Sequence, residues 1–344
     1  MAREAYMRHF GETSAVQGEP IPRPSPSVAI IVLNYGQPGH TTACLDSLLR
    51  LNTPPEWIIV VDNASPDDST LLIRQWLQTK ELLFEEIVAE NPEAVPQEFH
   101  TLPQENRQRK FWFLRSPHNK GYAGGNNLGI ALACCVNADA VWVLNNDTEV
   151  APDALRAMRD GLFSCERPGL CGSLILYHDD PRFVQCRGGG RTNKWTGLSS
   201  LDGYKLPLER AHKEDPSVVA SRLDFIYGAS VMVSRAFLDT VGWMDEQYFM
   251  YCEEQDWAYR AAGRFDFAYA PDAVVYHHEG VSTGWPASVM PKRLLQITRS
   301  RIRLTAKHFP TALPTVCCSI AFAALRLVFR RLLLTVGIGK RKFS

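Results

Sequence analysis

The 344-residue sequence lacks the signals of several large protein classes. Its formal net charge is zero, so no overall basicity indicates a nucleic-acid partner. The nine cysteines are odd in number and include no C-x-x-C pair. This speaks against a disulfide framework or a zinc site and favours reduced thiols in the cytosol. The N-terminus has no apolar segment of the secretory type. We therefore expect a cytoplasmic globular protein.

Acidic residues are absent from the C-terminal part of the chain. Residues 281–344 contain twelve Lys and Arg but no Asp or Glu. The longest uncharged stretch, 309–325, contains two prolines and is shorter than the roughly 20 residues of a membrane-spanning helix. One interpretation of the tail, 301–344, is a basic amphipathic helix that lies on an anionic membrane surface. The alternative is a helix packed on its own domain or on a partner subunit.

Apolar runs in the first half predict buried parallel strands, each followed by a helical pattern. These runs are 28–33, 57–61, 111–114 and 140–144. Their alternation with helices predicts a doubly wound α/β sheet. Residues 1–26 are expected to form a flexible leader. The acidic, proline-containing segment 81–108 is expected to be an inserted loop.

The second half of the chain has a more mixed pattern. Short strands are predicted at 172–177, 225–233, 267–270 and 273–276, short helices at 237–241 and 253–263, and a flexible glycine loop at 187–190.

Polar side chains follow the predicted parallel strands. Asn34 and Tyr35 end the first strand, Asp62 and Asn63 the second, and Asn145, Asn146 and Asp147 follow the fourth. In open α/β sheets, ligands bind at this carboxyl edge. A carboxylate beside neutral oxygen ligands suits a hard divalent cation that stays open to a phosphate. A polar turn that caps the next helix is the alternative.

A glycine- and asparagine-rich segment, 119–129, precedes the fourth strand. Its glycines at a helix start would let backbone N–H groups approach an anion, and Lys120 adds positive charge. It is neither a G-x-G-x-x-G nor a Walker A sequence. A glycine-rich entry into a helix is the alternative.

Three carboxylates lie within four residues at Glu253, Glu254 and Asp256. One could act as a general base whose pKa its neighbours raise, while Arg260, at i+4 from Asp256, holds another carboxylate ionised. Acidic residues are also favourable at any helix N-terminus. Further along, His277 ends a short strand, where a neutral imidazole could complete a metal site with Asp147 or could be structural.

These segments, in this order, resemble the family 2 glycosyltransferases with a GT-A fold, and most of all the bacterial rhamnosyltransferase-like members. The resemblance covers about residues 28–310. Its motifs are the first strand 28–35, the nucleoside-binding segment 60–65, the N-x-G-x-A-G-G-N-N-x-G segment 119–129, Asn145–Asp147 at the D-x-D position, the acceptor-side block 228–256, the H-x-x-G-x-S motif at 277–282 and a basic segment ending at Pro310.

The resemblance implies a GT-A catalytic domain at 27–300, with a nucleotide-binding half at about 27–150 and an acceptor half at about 151–300. It also implies inverting sugar transfer. From the basic tail we expect the protein to lie at the inner face of the cytoplasmic membrane. A Mg²⁺ or Mn²⁺ would lie on Asp147 and His277. The predicted donor-binding residues are Asn34, Tyr35, Asp62, Asn63, Lys120, Gly121, Gly124, Asn127, Asn145 and Asn146.

Two positions depart from the family pattern. Asn145 stands at the first position of the D-x-D element, which leaves Asp147 as its charged ligand. Glu254 stands where the base motif usually has Asp. We expect Glu254 to be the base, with Asp256 as the second candidate.

The donor sugar, its nucleotide, the acceptor and the oligomeric state stay open at this point. The branch resemblance implies rhamnose from a dTDP donor, and a glycan or lipid-linked acceptor in cell-surface polysaccharide synthesis. A sugar nucleotidyltransferase is the rival enzyme class, but it would need a glycine-rich basic loop where residues 34–38 read Asn-Tyr-Gly-Gln-Pro. A non-catalytic sugar-nucleotide-binding protein is the non-enzyme alternative.

Overall fold

The computed structural model describes residues 25–278 and 290–335, without the side chains of 290–292 and 327–335. Nearly all of the predicted leader, and the Gly280 and Ser282 positions of the histidine motif, lie outside the described residues. The predicted division into leader, catalytic domain and tail stays a prediction.

The first half of the chain alternates strands and helices. Its elements are β1 (Val28–Asn34), α1 (Pro38–Leu49), β2 (Trp57–Asp62), α2 (Ser69–Thr79), β3 (Phe84–Val88), α3 (Val95–Thr101), β4 (Phe111–Arg115), α4 (Gly121–Cys135) and β5 (Ala140–Asn145). The five strands are parallel in the order β3-β4-β2-β1-β5. Asn34 pairs with Asp62, and Leu33 pairs with Asn145, so the polar strand ends lie side by side.

The second half extends this sheet and adds a smaller one. Its elements are β6 (Thr148–Val150), α5 (Ala154–Phe163), β7 (Pro168–Tyr177), β8 (Val184–Arg187), β9 (Gly189–Asn193), β10 (Leu198–Leu201), α6 (Leu208–Ala211), α7 (Pro216–Ser221), β11 (Phe225–Ile226), β12 (Ser230–Ser234), α8 (Arg235–Val241), α9 (Glu253–Ala261), β13 (Asp266–His277), α10 (Met290–His308) and α11 (Leu313–Thr335). Beyond β5 the order is β12-β7-β13-β6, with β8 on β7, and both parallel and antiparallel pairs occur.

Helices cover both faces of the large sheet. Leu45 of α1 and Leu155 of α5 lie in one apolar core, while Leu128 of α4 and Trp257 of α9 lie in the other. Because both faces are buried, the central strands are continuous apolar runs and not alternating ones. This explains why the sequence indicated them clearly.

The predicted loop at 81–108 is wrong, because this segment contains β3 and α3. β3 is the edge strand of the parallel half. Its charged residues obscured the strand pattern. Glu86 pairs with Arg74 at 2.8 Å and with Arg115 at 3.0 Å, so neighbouring elements supply the opposite charge, while Ile87 is buried.

Three further local predictions are corrected. The expected flexible loop at 187–190 starts β9, where a Cβ on Gly189 would lie 1.9 Å from the Phe225 carbonyl oxygen, so the glycine permits close strand packing. The expected strand at 225–233 is two strands, β11 and β12, in different sheets. The two short strands predicted within 267–276 are the single strand β13, with an irregularity between Ala270 and Val274.

The C-terminal helices α10 and α11 pack on each other. Val316, near the start of α11, is fully buried, whereas Phe322 and Leu325 are exposed. The first part of α11 therefore packs on its own domain. In the part of the chain that the structure describes, none of the helices combines the length and the apolar character that crossing a membrane would require.

Candidate functional site

The ends of β1 and β2 are joined by a buried hydrogen-bond network. Asn34 donates from Nδ2 to Asp62 Oδ1 and to Ser65 Oγ, both at 2.8 Å, and accepts from Thr41 Oγ1 at 2.6 Å. Asp62 also accepts from Thr70 Oγ1 at 3.0 Å. The side chains of Asn34 and Asp62 thus fix the shape of this sheet edge. Their contact with a nucleoside stays a prediction. Tyr35, the next residue after β1, is exposed at the same edge.

Asn63 holds the start of α4. Its Oδ1 accepts from the Lys120 backbone N–H at 3.0 Å, and its Nδ2 donates to the Gly121 carbonyl at 2.9 Å. Both partners were predicted to lie at the donor site, and Asn63 fixes their backbone there.

Most of the segment 119–129 is helical, because α4 begins at Gly121 and contains the remaining glycines, as a glycine-rich entry into a helix predicts. Gly121 has φ +69°, and a Cβ on it would lie 1.9 Å from the Phe249 carbonyl oxygen. Asn127 donates from Nδ2 to the Met244 carbonyl at 2.9 Å, and Gly124 packs against Lys120 and Glu246. The segment joins the two halves of the domain by close packing. Donor contact at these positions stays a prediction.

The Asn145–Asp147 segment leads into β6 and not directly into a helix, so the helix-cap alternative is wrong. Asn146 donates from Nδ2 to Thr41 Oγ1 at 3.0 Å, and the Asn145 carbonyl accepts from Thr148 Oγ1 at 2.7 Å. These bonds hold the turn against the end of β1, where Asp147 lies beside the predicted donor residues.

The structure brings together the two predicted metal ligands, which are 130 positions apart in the chain. Asp147 Oδ1 lies 3.2 Å from His277 Nε2, and the two residues are 5% and 4% exposed. Within the described residues neither atom makes a hydrogen bond. Burial opposes ionisation of Asp147, but the adjacent imidazole outweighs it and lowers the pKa of this carboxyl. The carboxylate is therefore ready to bind a cation.

Gln185 fixes the orientation of the His277 ring. Its Oε1 lies 2.8 Å from His277 Nδ1, and its side chain is buried. An amide oxygen accepts, so Nδ1 carries the proton, and in the neutral ring Nε2 offers a lone pair toward Asp147. A metal ion can take the place of a proton between these two buried atoms, because a carboxylate oxygen and an imidazole nitrogen are both suitable metal ligands. A metal-ligating His commonly donates its other N–H in this way.

The predicted base, Glu254, lies in the first turn of α9. Its Oε1 accepts from the Gly228 backbone N–H at 3.2 Å. Burial raises its pKa above the ordinary carboxyl value. Burial, and then the charge of Glu254, also raise the pKa of the neighbouring Glu253 well above that value. A carboxylate with a raised pKa and few hydrogen bonds is a better proton acceptor than an ordinary one.

Asp256 has different surroundings, which speak against its role as the second candidate base. It is fully buried, and Arg260 Nε, Lys307 Nζ and His308 Nε2 each lie 2.8 Å from its carboxylate. Burial opposes ionisation, but these three groups outweigh it and hold the pKa of Asp256 far below its usual range. The predicted pairing with Arg260 is confirmed, and Asp256 joins α9 to the end of α10.

A three-residue segment, Tyr227–Ala229, lies between the candidate base and the candidate metal ligands. The Gly228 backbone N–H donates to Glu254, and the Gly228 carbonyl accepts from Tyr122 Oη at 2.6 Å. The Ala229 carbonyl accepts from the Asn145 backbone N–H at 3.1 Å. The Tyr227 ring lies 6.3 Å from the His277 ring. The candidate base and the candidate metal ligands therefore flank one short stretch of backbone.

Sequence reasoning missed three residues of this arrangement. Gln185 lies far along the chain from the ring that it orients, and its local sequence carries no signal. His308 lies in the basic segment that resembles the family, but nothing there indicates its contact with Asp256. Tyr122 lies in the glycine-rich segment, whose pattern does not indicate a role for the tyrosine. Its hydrogen bond to Gly228 depends on a contact that only the fold creates.

Comparisons with known proteins agree with this geometry. The family model "Glycosyl transferase family 2" matches residues 27–185. The Haloferax volcanii low-salt glycan biosynthesis hexosyltransferase Agl10 is 28% identical over 154 residues, which is 43% of this chain and 45% of that protein. The Mycobacterium tuberculosis N-acetylglucosaminyl-diphospho-decaprenol L-rhamnosyltransferase is 24% identical over 268 residues, which is 74% of this chain and 77% of that protein.

Solved structures share the fold at lower identity. A Pyrobaculum calidifontis mannosyltransferase, PcManGT, in complex with GDP-Man and Mn²⁺ aligns with TM-score 0.51 at 17% identity, over 97% of this chain and 86% of that one. GalNAc-T7 with UDP, GalNAc and Mn²⁺ aligns with TM-score 0.56 at 12% identity, over 82% and 48%. The expected fold is confirmed. Residues 27–185 match the model of glycosyl transferase family 2, and the chain has the GT-A fold.

Proposed function

We propose that this protein is an inverting glycosyltransferase, which moves a sugar from a nucleoside-diphosphate donor to a hydroxyl of a glycan or lipid-linked acceptor. The observation that carries the proposal is the buried Asp147–His277 pair, whose facing oxygen and nitrogen lack hydrogen bonds within the described part of the chain. A buried polar atom without a partner costs roughly 1–3 kcal/mol, so the pair is expected to serve a ligand.

Asp147 and His277 would hold a Mg²⁺ or Mn²⁺ beside the donor diphosphate. Such an ion acts as a Lewis acid that neutralises the negative charge of the leaving nucleoside diphosphate. Hard cations of this kind accept oxygen ligands, and Mn²⁺ also accepts imidazole. Gln185 keeps His277 in the ligating orientation. Asn34, Asp62 and Asn63 fix the neighbouring strand ends that border the donor.

Glu254 would accept the proton of the acceptor hydroxyl as that oxygen attacks the anomeric carbon. Attack from the side opposite the leaving group inverts the anomeric centre and needs one base and no covalent intermediate. The raised pKa of Glu254 matches this role, because a base works best when its pKa approaches the working pH. Asp256 would position α9 through Arg260 and would not exchange a proton.

The acceptor side offers a groove of about 1020 Å³ between α10 and the segment before α9. Its lining combines the apolar Phe249 and Met250 with the cationic Arg299 and Arg303, while Lys307 in the same lining is paired with Asp245. A lipid-linked diphosphate sugar presents an anionic and an apolar part and would suit such a lining. The printed name of the mycobacterial relative includes a diphospho-decaprenol acceptor and rhamnose. We propose the same acceptor class here, and rhamnose as the first donor sugar to test.

Contact with an anionic membrane at its cytoplasmic face would follow from the tail. Phe322 and Leu325 are exposed on α11, and the tail carries only basic charges. A peripheral helix binds through buried apolar area and attraction to anionic lipids. A truncation ending at Pro310 should then bind anionic vesicles less than the whole chain does. Equal retention would contradict the membrane proposal.

The proposed activity is tested with a panel of nucleotide sugars, Mn²⁺ or Mg²⁺, and a lipid-diphosphate-sugar acceptor. We expect one donor to release its nucleoside diphosphate in a metal-dependent reaction, and NMR of the product to give the inverted anomer. Asp147→Asn and His277→Gln should abolish release, whereas the exposed-site control His100→Gln should not. Retention of anomeric configuration would contradict the mechanism. Pyrophosphorolysis would indicate a sugar nucleotidyltransferase instead.

A further inference from the structure

A second group of metal-binding side chains lies beside the Asp147–His277 pair. Glu149 on β6, His178 directly after β7 and His278 directly after β13 come together where three neighbouring strands end or begin. His178 lies 29 positions after Glu149 in the sequence, and His278 lies 100 positions after His178, so the fold alone brings them together. The proposed transfer reaction uses none of them.

Strand pairing separates this group from the predicted metal ligands. Thr148 pairs with His277, and Glu149 pairs with Tyr276. Because successive strand residues face opposite sides, Glu149 lies on the side away from His277. His278 directly follows His277, and His178 follows Tyr177, the β7 partner of His277. Both imidazoles lie just past the ends of their strands, and both contact Glu149.

The distances fit one metal ion. Glu149 Oε1 lies 3.3 Å from His178 Nε2 and 3.6 Å from His278 Nε2, and the three ligand atoms lie within 4.8 Å of one another. In a tetrahedral zinc site with bonds of about 2.0–2.1 Å, neighbouring ligand atoms are about 3.3–3.4 Å apart. The two nitrogen–oxygen distances are close to this value without rearrangement.

The rings are also held in place and accessible. The His178 and His278 rings stack with centroids 3.5 Å apart and an interplanar angle of 26°, and His40 lies edge-on to His278 at 5.0 Å. The side chains of Glu149, His178 and His278 are 28%, 35% and 18% exposed, so an ion can reach them and a water can complete the coordination.

We propose that Glu149, His178 and His278 form a second metal site, one that takes a transition-metal ion such as Zn²⁺. Two imidazoles and one carboxylate favour Zn²⁺ over Mg²⁺, which prefers oxygen ligands. The ion would tie together the ends of β6, β7 and β13. Asp147 lies one residue before β6, and His277 ends β13. The site would therefore brace the strands that carry the proposed donor-metal ligands.

The same side chains could instead be held together by protonation of a histidine beside Glu149, without a metal. The two possibilities differ in metal stoichiometry. The test is a Zn²⁺ titration of the metal-free full chain against a chromogenic chelator, followed by Co²⁺ substitution, since tetrahedral Co²⁺ has a characteristic visible absorption.

We expect the wild type to bind one tight Zn²⁺ and to give the tetrahedral Co²⁺ spectrum. His178→Ala and Glu149→Gln should weaken Zn²⁺ binding at least about tenfold, the lower bound seen even for loss of residues that only orient ligands. The controls Asp147→Asn and His100→Ala should retain the tight ion. Circular dichroism of each variant checks that it folds.

Three results would overturn the proposal. The first is no tight Zn²⁺ in the folded wild type, which leaves the protonated pair as the explanation. The second is wild-type affinity in a folded His178→Ala variant. The third is loss of the tight ion in Asp147→Asn, which would assign the bound Zn²⁺ to the Asp147–His277 pair.

Discussion

Replacing Asp256 by Asn should unfold the protein more easily and leave its chemistry largely intact. The side chain is fully buried and contacts the cationic Arg260 and Lys307 and the ring of His308. Removing one partner from a buried ion pair costs about 3–5 kcal/mol, because it leaves the other charge uncompensated. We expect a cost near the lower end of this range, because the partners of Asp256 keep other contacts. Arg260 also donates to the Val241 carbonyl, and Lys307, whose side chain is 37% exposed, also pairs with Asp245.

We therefore expect Asp256→Asn to lower the free energy of unfolding by about 3 kcal/mol, which is on the order of 5 °C in Tm for a domain of this size. Urea denaturation measures the loss. The matched control is Asp245→Asn, which removes only the outer partner of Lys307 and should cost under about 1 kcal/mol. Equal stability of Asp256→Asn and wild type would refute the assignment of Asp256 as a structural ion-pair centre.

The pH dependence of this loss has a definite sign. A carboxyl whose pKa is lower in the folded state stabilises the protein above its unfolded pKa, near about 3.9, and this contribution is lost as the pH falls through the folded pKa. The difference in stability between wild type and Asp256→Asn should be constant from pH 6 to pH 8 and shrink below about pH 4. A difference that grows in acid would contradict the ion-pair explanation.

Three further predictions follow from neighbouring groups. Burial, and then the charge of Glu254, raise the pKa of Glu253 in the folded protein, so the contribution of this carboxyl to stability is present in acid and is lost as the pH rises through the folded pKa. Glu253→Gln should therefore raise Tm more at pH 8 than at pH 4. An equal change in Tm at both pH values would contradict this prediction. Gln185→Leu should weaken metal-dependent donor binding about 10- to 100-fold in calorimetry, with Tm nearly unchanged. Gly121→Ala should destabilise the fold by at least about 2 kcal/mol, because Gly121 has a positive φ and the new Cβ would collide with the Phe249 backbone. In the control Gly39→Ala, in α1, the new Cβ would enter open space, so thermal melts should show a neutral or stabilising effect.

The parallel half of the fold was predictable because its strands are buried on both faces and read as unbroken apolar runs. β1, β2, β4 and β5 were recognised in this way. β3 was missed because an edge strand can carry charged residues such as Glu86, whose partner Arg115 lies on another strand. The irregular strand β13 was split because its register shifts after Ala270.

The sequence indicated which residues form the candidate site more readily than it indicated the role of each residue. Asp147 lies in the turn after β5 and His277 ends β13, and the pattern of the sheet indicated that they meet. Glu254 and Asp256 could not be separated by sequence, because the groups that neutralise Asp256 lie about fifty positions later, at Lys307 and His308. The glycines of 119–129 were interpreted as allowing an anion to approach, because local sequence does not reveal that Phe249 packs on Gly121.

The most direct test of the proposed mechanism compares transfer and donor binding in Glu254→Gln. This change removes the proton acceptor but keeps the size of the side chain and its bond from the Gly228 N–H. Loss of a general base typically costs a factor of 10²–10⁴ in rate. We predict that kcat falls at least about 100-fold while the Kd of the donor with Mn²⁺ is unchanged. Transfer at the wild-type rate by Glu254→Gln would contradict the account.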